Sequence, residues 1–113
     1  TYMLRRWSAA GQGTMPLEKV VRALPSETAE TVGLSDRGRI AIGLRADLNV
    51  IDLSRLALHK PELVRDLPNG AGRLGQSATG YVATIVAGEI TYREGVPTGA
   101  LPGRLVRGAG AAA

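Results

Sequence analysis

The residues with the most recognisable chemical spacing are Gly70-Ala71-Gly72-Arg73-Leu74-Gly75, which spell G-x-G-x-x-G. In a dinucleotide site those glycines lie between a buried strand and a helix, where bare backbone lets a pyrophosphate approach the helix N-terminus. Here Asp66-Leu67-Pro68-Asn69 precedes the run and only residues 76–80 follow before the next apolar segment. Neither a buried strand nor a crossover helix fits, so the run reads as a loop. Asp36, Asp47, Asp52 and Asp66 are carboxylates of the kind used for metal binding or proton transfer. Asp36 and Asp47 flank glycine-containing turns, where aspartate accepts backbone N–H groups, and the structural role is the preferred reading. His59 stands beside Lys60 and Pro61 with no carboxylate near it in sequence, and reads as a surface residue. Ser8, Ser26, Ser35, Ser54 and Ser77 lack a G-x-S-x-G elbow, and any triad would have to use that one histidine. Trp7 reads as a packing residue rather than a ligand platform. No catalytic, cofactor-binding or metal-ligating residue is assigned.

The composition of the 113 residues narrows the function further. There is no cysteine, which excludes disulfides, thiolate metal sites and cysteine nucleophiles, and is compatible with a cytoplasmic protein. One histidine cannot build a histidine-rich metal site. The net charge of +4 raises nucleic acid as a partner, but the arginines are scattered, with Arg5-Arg6 the one adjacent pair. Phenylalanine is absent and three tyrosines and one tryptophan make no stacking platform, so nucleic acid is not expected. No apolar run approaches the ~18 residues of a membrane span. The opening Thr1-Tyr2-Met3-Leu4-Arg5-Arg6-Trp7 carries no secretory signal and reads as the middle of a longer chain, whose natural start is expected to be missing.

The elements that must position these side chains are short, because fifteen glycines and six prolines punctuate the chain. Tyr2, Met3, Leu4, Trp7 and Ala10 fall near helical spacing, and Gly11-Gln12-Gly13 stops them. Thr14 is the expected N-cap of a second helix, whose apolar stripe is Leu17, Val20, Val21 and Leu24. Pro25 is expected to end it, and Ser26 to cap a further helix reaching Gly33. The period then shortens. Residues 38–42 and 48–52 read as strands, residues 53–80 hold no strong strand, and a helical turn is expected after Pro61. The clearest element is 80–95, two β-branched runs around Ala87-Gly88 that predict a hairpin, the first buried on both faces. Residues 97–107 read as an extended tail and 108–113 as a frayed end. Four strands in two pairs leave open edges, so the chain reads as half of a structure.

The order of these segments resembles a known family. Leu17-Glu18-Lys19-Val20-Val21-Arg22-Ala23-Leu24, then Glu27-Thr28-Ala29, Gly33-Leu34, Asp36-Arg37-Gly38-Arg39-Ile40 and Gly43-Leu44-Arg45-Ala46-Asp47-Leu48-Asn49-Val50-Ile51-Asp52 resemble the C-terminal end of amidohydrolase-superfamily enzymes. Arg65-Asp66-Leu67-Pro68, Gly80-Tyr81-Val82-Ala83-Thr84-Ile85-Val86-Ala87-Gly88 and the ending from Pro97 through Thr98-Gly99-Ala100-Leu101-Pro102-Gly103-Arg104 to Gly108 look like the N-acyl-D-amino-acid deacylase (D-aminoacylase) branch.

The resemblance implies a metal-dependent hydrolase of C–N amide bonds, with a (β/α)8 barrel and a small β-sandwich built from both chain termini. It implies a metal-activated water, a His-x-His pair, further histidines and a proton-shuttling aspartate. None of these matches a position here, so no site residue is carried over, and zinc is expected only in a full-length parent. The implied fold class is α+β: a helical end of the barrel and link (1–33), the C-terminal share of the sandwich (34–96) and an extended tail (97–113). The function expected is a structural C-terminal fragment, inactive alone. A stand-alone scaffold or oligomerisation module is the alternative. Its expected partners are the missing N-terminal part of its own protein or, through open strand edges, another copy.

Overall fold

A computed structural model describes residues 1–106, and the expected frayed end at 108–113 lies outside them. The architecture is α+β, with helices first and antiparallel strands after. Helix α1 (Tyr2–Arg6) is followed by a closed loop whose two ends form a bridge between Ser8 and Met15. The Gln12 N–H bonds the Arg5 carbonyl at 2.9 Å, and the Gly13 N–H bonds the Ser8 carbonyl at 3.0 Å. A Cβ at Gly13 would lie 2.0 Å from the Trp7 carbonyl oxygen, so the loop closes this tightly only with a bare backbone there.

Helix α2 (Leu17–Arg22) starts on Pro16, and Thr14 does not cap it. Pro25 does not stop the chain either. It sits in a π-helical turn (Ala23–Glu27) that runs directly into α3 (Thr28–Thr31). Proline has no N–H to give, and the wider turn accommodates its ring, as single π turns do inside longer helices. The Thr28 hydroxyl bonds the Ala23 carbonyl at 3.1 Å. Ser26, expected as a cap, instead donates to the Gly38 carbonyl at 2.6 Å and ties the following loop to the helix. Gly33 ends the helix as expected. Its φ is +73°, its N–H bonds Glu30, and the Leu34 N–H reaches back to Ala29 at 2.8 Å, a Schellman closure.

Residues 38–42 are not a strand. Ile40 is 89% exposed and Ile42 fully so, with no strand to pair against. The first strand is β1 (Leu48–Ile51). Strands β2 (Ala57–Leu58), β3 (Glu62–Val64), β4 (Arg73–Gly75) and β5 (Ala78–Thr79) fill the stretch expected to hold no strong strand, and β3 replaces the helical turn expected after Pro61. They fold into one projecting hairpin arm. Ala57 pairs with Thr79 and Leu58 with Ala78, and the His59 N–H bonds the Ser77 carbonyl. Beyond a one-residue slip, Glu62 pairs with Gly75, Leu63 with Leu74 and Val64 with Arg73.

The main sheet has the order β1-β6-β7-β8, where β6 is Tyr81–Val86, β7 is Glu89–Arg93 and β8 is Val96–Pro97. The β6–β7 hairpin turns on Ala87-Gly88 (φ 51° and 85°), and the β7–β8 hairpin on Glu94-Gly95 (φ 47° and 79°). Both have the positive φ pair of a type I′ turn, whose twist matches paired strands. The pairing therefore differs from the expected two pairs: β1 joins β6, Leu48 opposite Ile85 and Val50 opposite Ala83. Central β6 is half-buried on both faces, with Ala83 buried.

The core lies where the helices meet one end of the sheet. Leu4, Val20 and Leu56 are buried together, with Met15, Leu17, Ile51 and Tyr81 packed round them. Half of the expected helical stripe faces away: Val21 and Leu24 are exposed. Gly80 governs this junction. Its φ is +92°, and a Cβ there would lie 2.6 Å from the Leu56 Cα. Replacing Gly80 by Ala therefore combines strain with a backbone clash and is expected to cost more than about 2 kcal/mol. Gly43→Ala, at φ +85° but in open space, is expected to cost about 1 kcal/mol. Urea midpoints of the two variants check the difference, and equal losses would contradict this account of the junction.

Candidate functional site

Each aspartate singled out in the sequence is held by an arginine or by backbone amides. Asp52 ends β1 and organises the turn that follows. Its Oδ1 accepts from the Ser54 N–H at 2.9 Å and from the Ser54 hydroxyl at 2.6 Å, while Oδ2 accepts from Arg55 Nε at 2.8 Å. The Ser54 hydroxyl first, and the Arg55 guanidinium second, hold its carboxyl down to about 2. Arg55 then reaches Glu94 in the β7–β8 turn at 3.3 Å. Beside these two charges lies an open cleft of about 330 Å³, walled also by Thr79, Gly80 and Tyr81. The two charges pair directly at its wall, so they offer the cleft no unpaired charge to attract a ligand.

Asp47 forms a second knot. Its Oδ1 accepts the Ala87 N–H at 2.8 Å, and its carboxylate meets Arg37 and Arg45 at 3.2 Å each. The Ala46 carbonyl takes the Gly88 N–H at 2.9 Å, so residues 46–47 cap the β6–β7 turn. Asp36 is clamped in two-point fashion by Arg37, Nε at 2.9 Å and an Nη at 3.0 Å, and Arg73 clamps Asp66 in the same way across the arm. The guanidinium in each pair pulls the carboxyl below its ordinary value. The local backbone bonds expected for Asp36 and Asp47 are replaced: the Arg37 side chain holds Asp36, and the amide that Asp47 accepts lies forty residues away.

The other candidates are dispersed. His59 sits exposed at the base of the arm, where its carbonyl takes a bond from Gln76. Gly70-Ala71-Gly72-Arg73-Leu74-Gly75 forms the tip of the arm and β4, a turn and strand with no helix behind them. Ser8 is fully buried and donates to the Leu4 carbonyl. Trp7 is about half exposed. Among the described residues no serine hydroxyl bonds His59, and no three His, Asp or Glu side chains converge as metal ligands would. A divalent metal centre does not fit this donor set, because the four aspartates are already matched to arginines. Sequence reasoning missed Glu94 and the Thr1–Tyr81 hydroxyl pair at 2.7 Å. Only the Asp52-Leu53-Ser54 spacing carried a local signal, that of an Asx turn.

The depressed Asp52 carboxyl makes stability depend on acid. A group whose folded value lies below its unfolded value of 3.8 stabilises the fold above about pH 4 and loses that contribution as pH falls towards about 2. Asp52→Asn is expected to melt below the parent sequence at neutral pH and to converge with it near about pH 2. Thermal midpoints across that range check this, and a constant gap would refute it.

Comparison with known proteins places these knots in context. The amidohydrolase family model matches residues 2–92, from α1 through β7. A dihydroorotase from Methanothermobacter thermautotrophicus is 36% identical over 85 residues, which cover 74% of this chain and 20% of that protein. The chain thus spans about one fifth of the length of that curated relative. No solved structure shows a significant match. The match runs through both the helical segment and the sheet, including the Asp36, Asp47 and Asp52 knots, and the chain belongs to the amidohydrolase family.

Proposed function

We propose that this chain is the C-terminal, structural portion of a hydrolase acting on C–N amide bonds, in the N-acyl-D-amino-acid deacylase branch of its family. One observation carries the structural role. The family match covers a segment whose four aspartates are spent on arginines and turn amides, in a family that is generally metal-dependent. A segment with those residues supports an active site and does not supply one. Zinc, its histidine ligands and the catalytic aspartate belong on this reading to the remainder of the polypeptide. The remainder also supplies strands that complete a small β-sandwich with the β1-β6-β7-β8 sheet.

The branch assignment rests on the ending from Pro97 to Gly108, beyond the residues the family model matches. Its described part is anchored to the sheet: the Thr98 hydroxyl donates to the Ile90 carbonyl at 2.7 Å, and the Thr98 N–H to the Thr91 carbonyl at 2.9 Å. The dihydroorotase relative favours a second reading, in which the whole protein acts as that enzyme does. No helix of the described residues is long and apolar enough to cross a membrane.

The test compares the 113-residue chain with its full-length parent, each supplied with zinc, on N-acetyl-D-amino acids and in a dihydroorotase assay. Deacylation by the parent alone is the expected result. Dihydroorotase activity in the parent would move the assignment to the second reading, and hydrolysis by the isolated chain would overturn the structural role.

A further inference from the structure

The hairpin arm of residues 57–79 presents an unexplained surface. Leu63 and Leu74 face each other across the β3–β4 ladder and are 61% and 74% exposed. Gly72 lies against Leu63 on the same face, where a Cβ would come within 3.0 Å of a Leu63 methyl carbon and 3.9 Å of the Arg65 Cγ, so the leucine pair is flanked by the apolar stem of an arginine. The opposite face holds the arm's own register, through Val64 over Gly75 and the Arg73–Asp66 clamp. A two-stranded ribbon is marginal in water by itself, and a cross-strand leucine pair left in solvent forgoes the burial that would sustain it. The arm is thus locally well specified and globally unsupported.

We propose that the Leu63–Leu74 face of the arm docks on the catalytic portion of the same polypeptide. The inference rests on the reading of this chain as part of a longer hydrolase. Two observations select that occupant over a second copy. The curated relative is five times longer than the segment it shares with this chain, and a surface on the same polypeptide meets the arm at an effective concentration of order millimolar. The exposed apolar side chains also lie on three separate segments of the chain. Ile40 and Ile42 lie in the loop before β1, Leu63 and Leu74 on the arm, and Leu101 on the tail, at 93% exposure. A dimer would bury one contiguous face, whereas a larger body contacted at several points accounts for separated ones.

The test uses the full-length parent and the 113-residue chain, each with its own sequence and with Leu74→Glu. The Leu74 side chain touches solvent here, so the substitution is expected to leave the melting point of the 113-residue chain unchanged. In the parent it is expected to lower the melting point by about 3 °C or more. Hydrogen exchange of the arm amides keeps the proposal falsifiable even if the variant parent fails to fold. With the unaltered sequence, residues 62–75 should exchange at least about tenfold more slowly in the parent than in the isolated chain. Equal exchange in the two, or a parent melting point indifferent to Leu74→Glu, would overturn the docking. So would a concentration-dependent dimer of the isolated chain that Leu74→Glu dissolves while the parent is unaffected, since that assigns the face to a second copy. Metal content and hydrolysis of the parent, measured on the same samples, report separately on the reading as part of a hydrolase.

Discussion

The joint between Gly80 and the turn after β1 is the constraint on which the other elements depend. The Gly80 carbonyl accepts the Asp52 N–H at 2.8 Å, and the space where its side chain would lie is filled by the backbone of Arg55 and Leu56. That approach puts Leu56 into the core beside Leu4 and Val20, and sets Tyr81 at the start of the central strand, within reach of Thr1. It also fixes where the arm departs, since β2 begins immediately after Leu56 and β5 ends immediately before Gly80. Helices, sheet and arm therefore share a single point of registration. One extra methyl group there would act on all three.

Around that point the charged residues are fasteners. Asp52 orders its own turn and, through Arg55, reaches Glu94 in the second hairpin, while Asp47 caps the first. Surface ion pairs of this exposure contribute little energy singly. Their value is in direction: a carboxylate with two or three donors at fixed angles holds a turn in one geometry, as a nonpolar contact cannot. The same arrangement explains why Asp36, Asp52 and Asp66 make no acid–base site. A carboxylate held low by a hydroxyl or a guanidinium is a poor proton acceptor near neutral pH, and its oxygens are already spoken for.

What could be read from the sequence was whatever is decided within a few residues. Gly33 closes a helix, Ala87-Gly88 turns a hairpin, and residues 48–51 form a strand, each by local backbone chemistry. That Asp47 would accept a turn amide was legible too, because aspartate beside a turn glycine commonly does so. The partners were not, since Asp47 bonds an amide forty residues on and Arg55 a carboxylate thirty-nine residues on. The passage through Pro25 was hidden because a π turn leaves no residue pattern of its own. The arm was hidden for another reason: its strands are two or three residues long, too short to show a period.

The misplaced strand at 38–42 is of a different kind. Ile40 and Ile42 alternate with Arg39 and Ala41 as a half-buried strand requires, yet both are solvent-exposed. Hydrophobic alternation records the surroundings in which a segment is buried, and a local rule fails when those surroundings are not among the residues at hand. Leu63 and Leu74 show the same mismatch, as do Val21 and Leu24 on α2. The radius of gyration, 16.3 Å against the ~13 Å of a compact domain this long, has the same origin: the elements spread round too small a core. Five apolar side chains are buried among the described residues, and exposed ones remain on α2, in the loop before β1, on the arm and on the tail. On the reading of the chain as part of a larger hydrolase, these mismatches share one physical cause. On that reading an apolar side chain left in solvent marks a place where the rest of the polypeptide would pack.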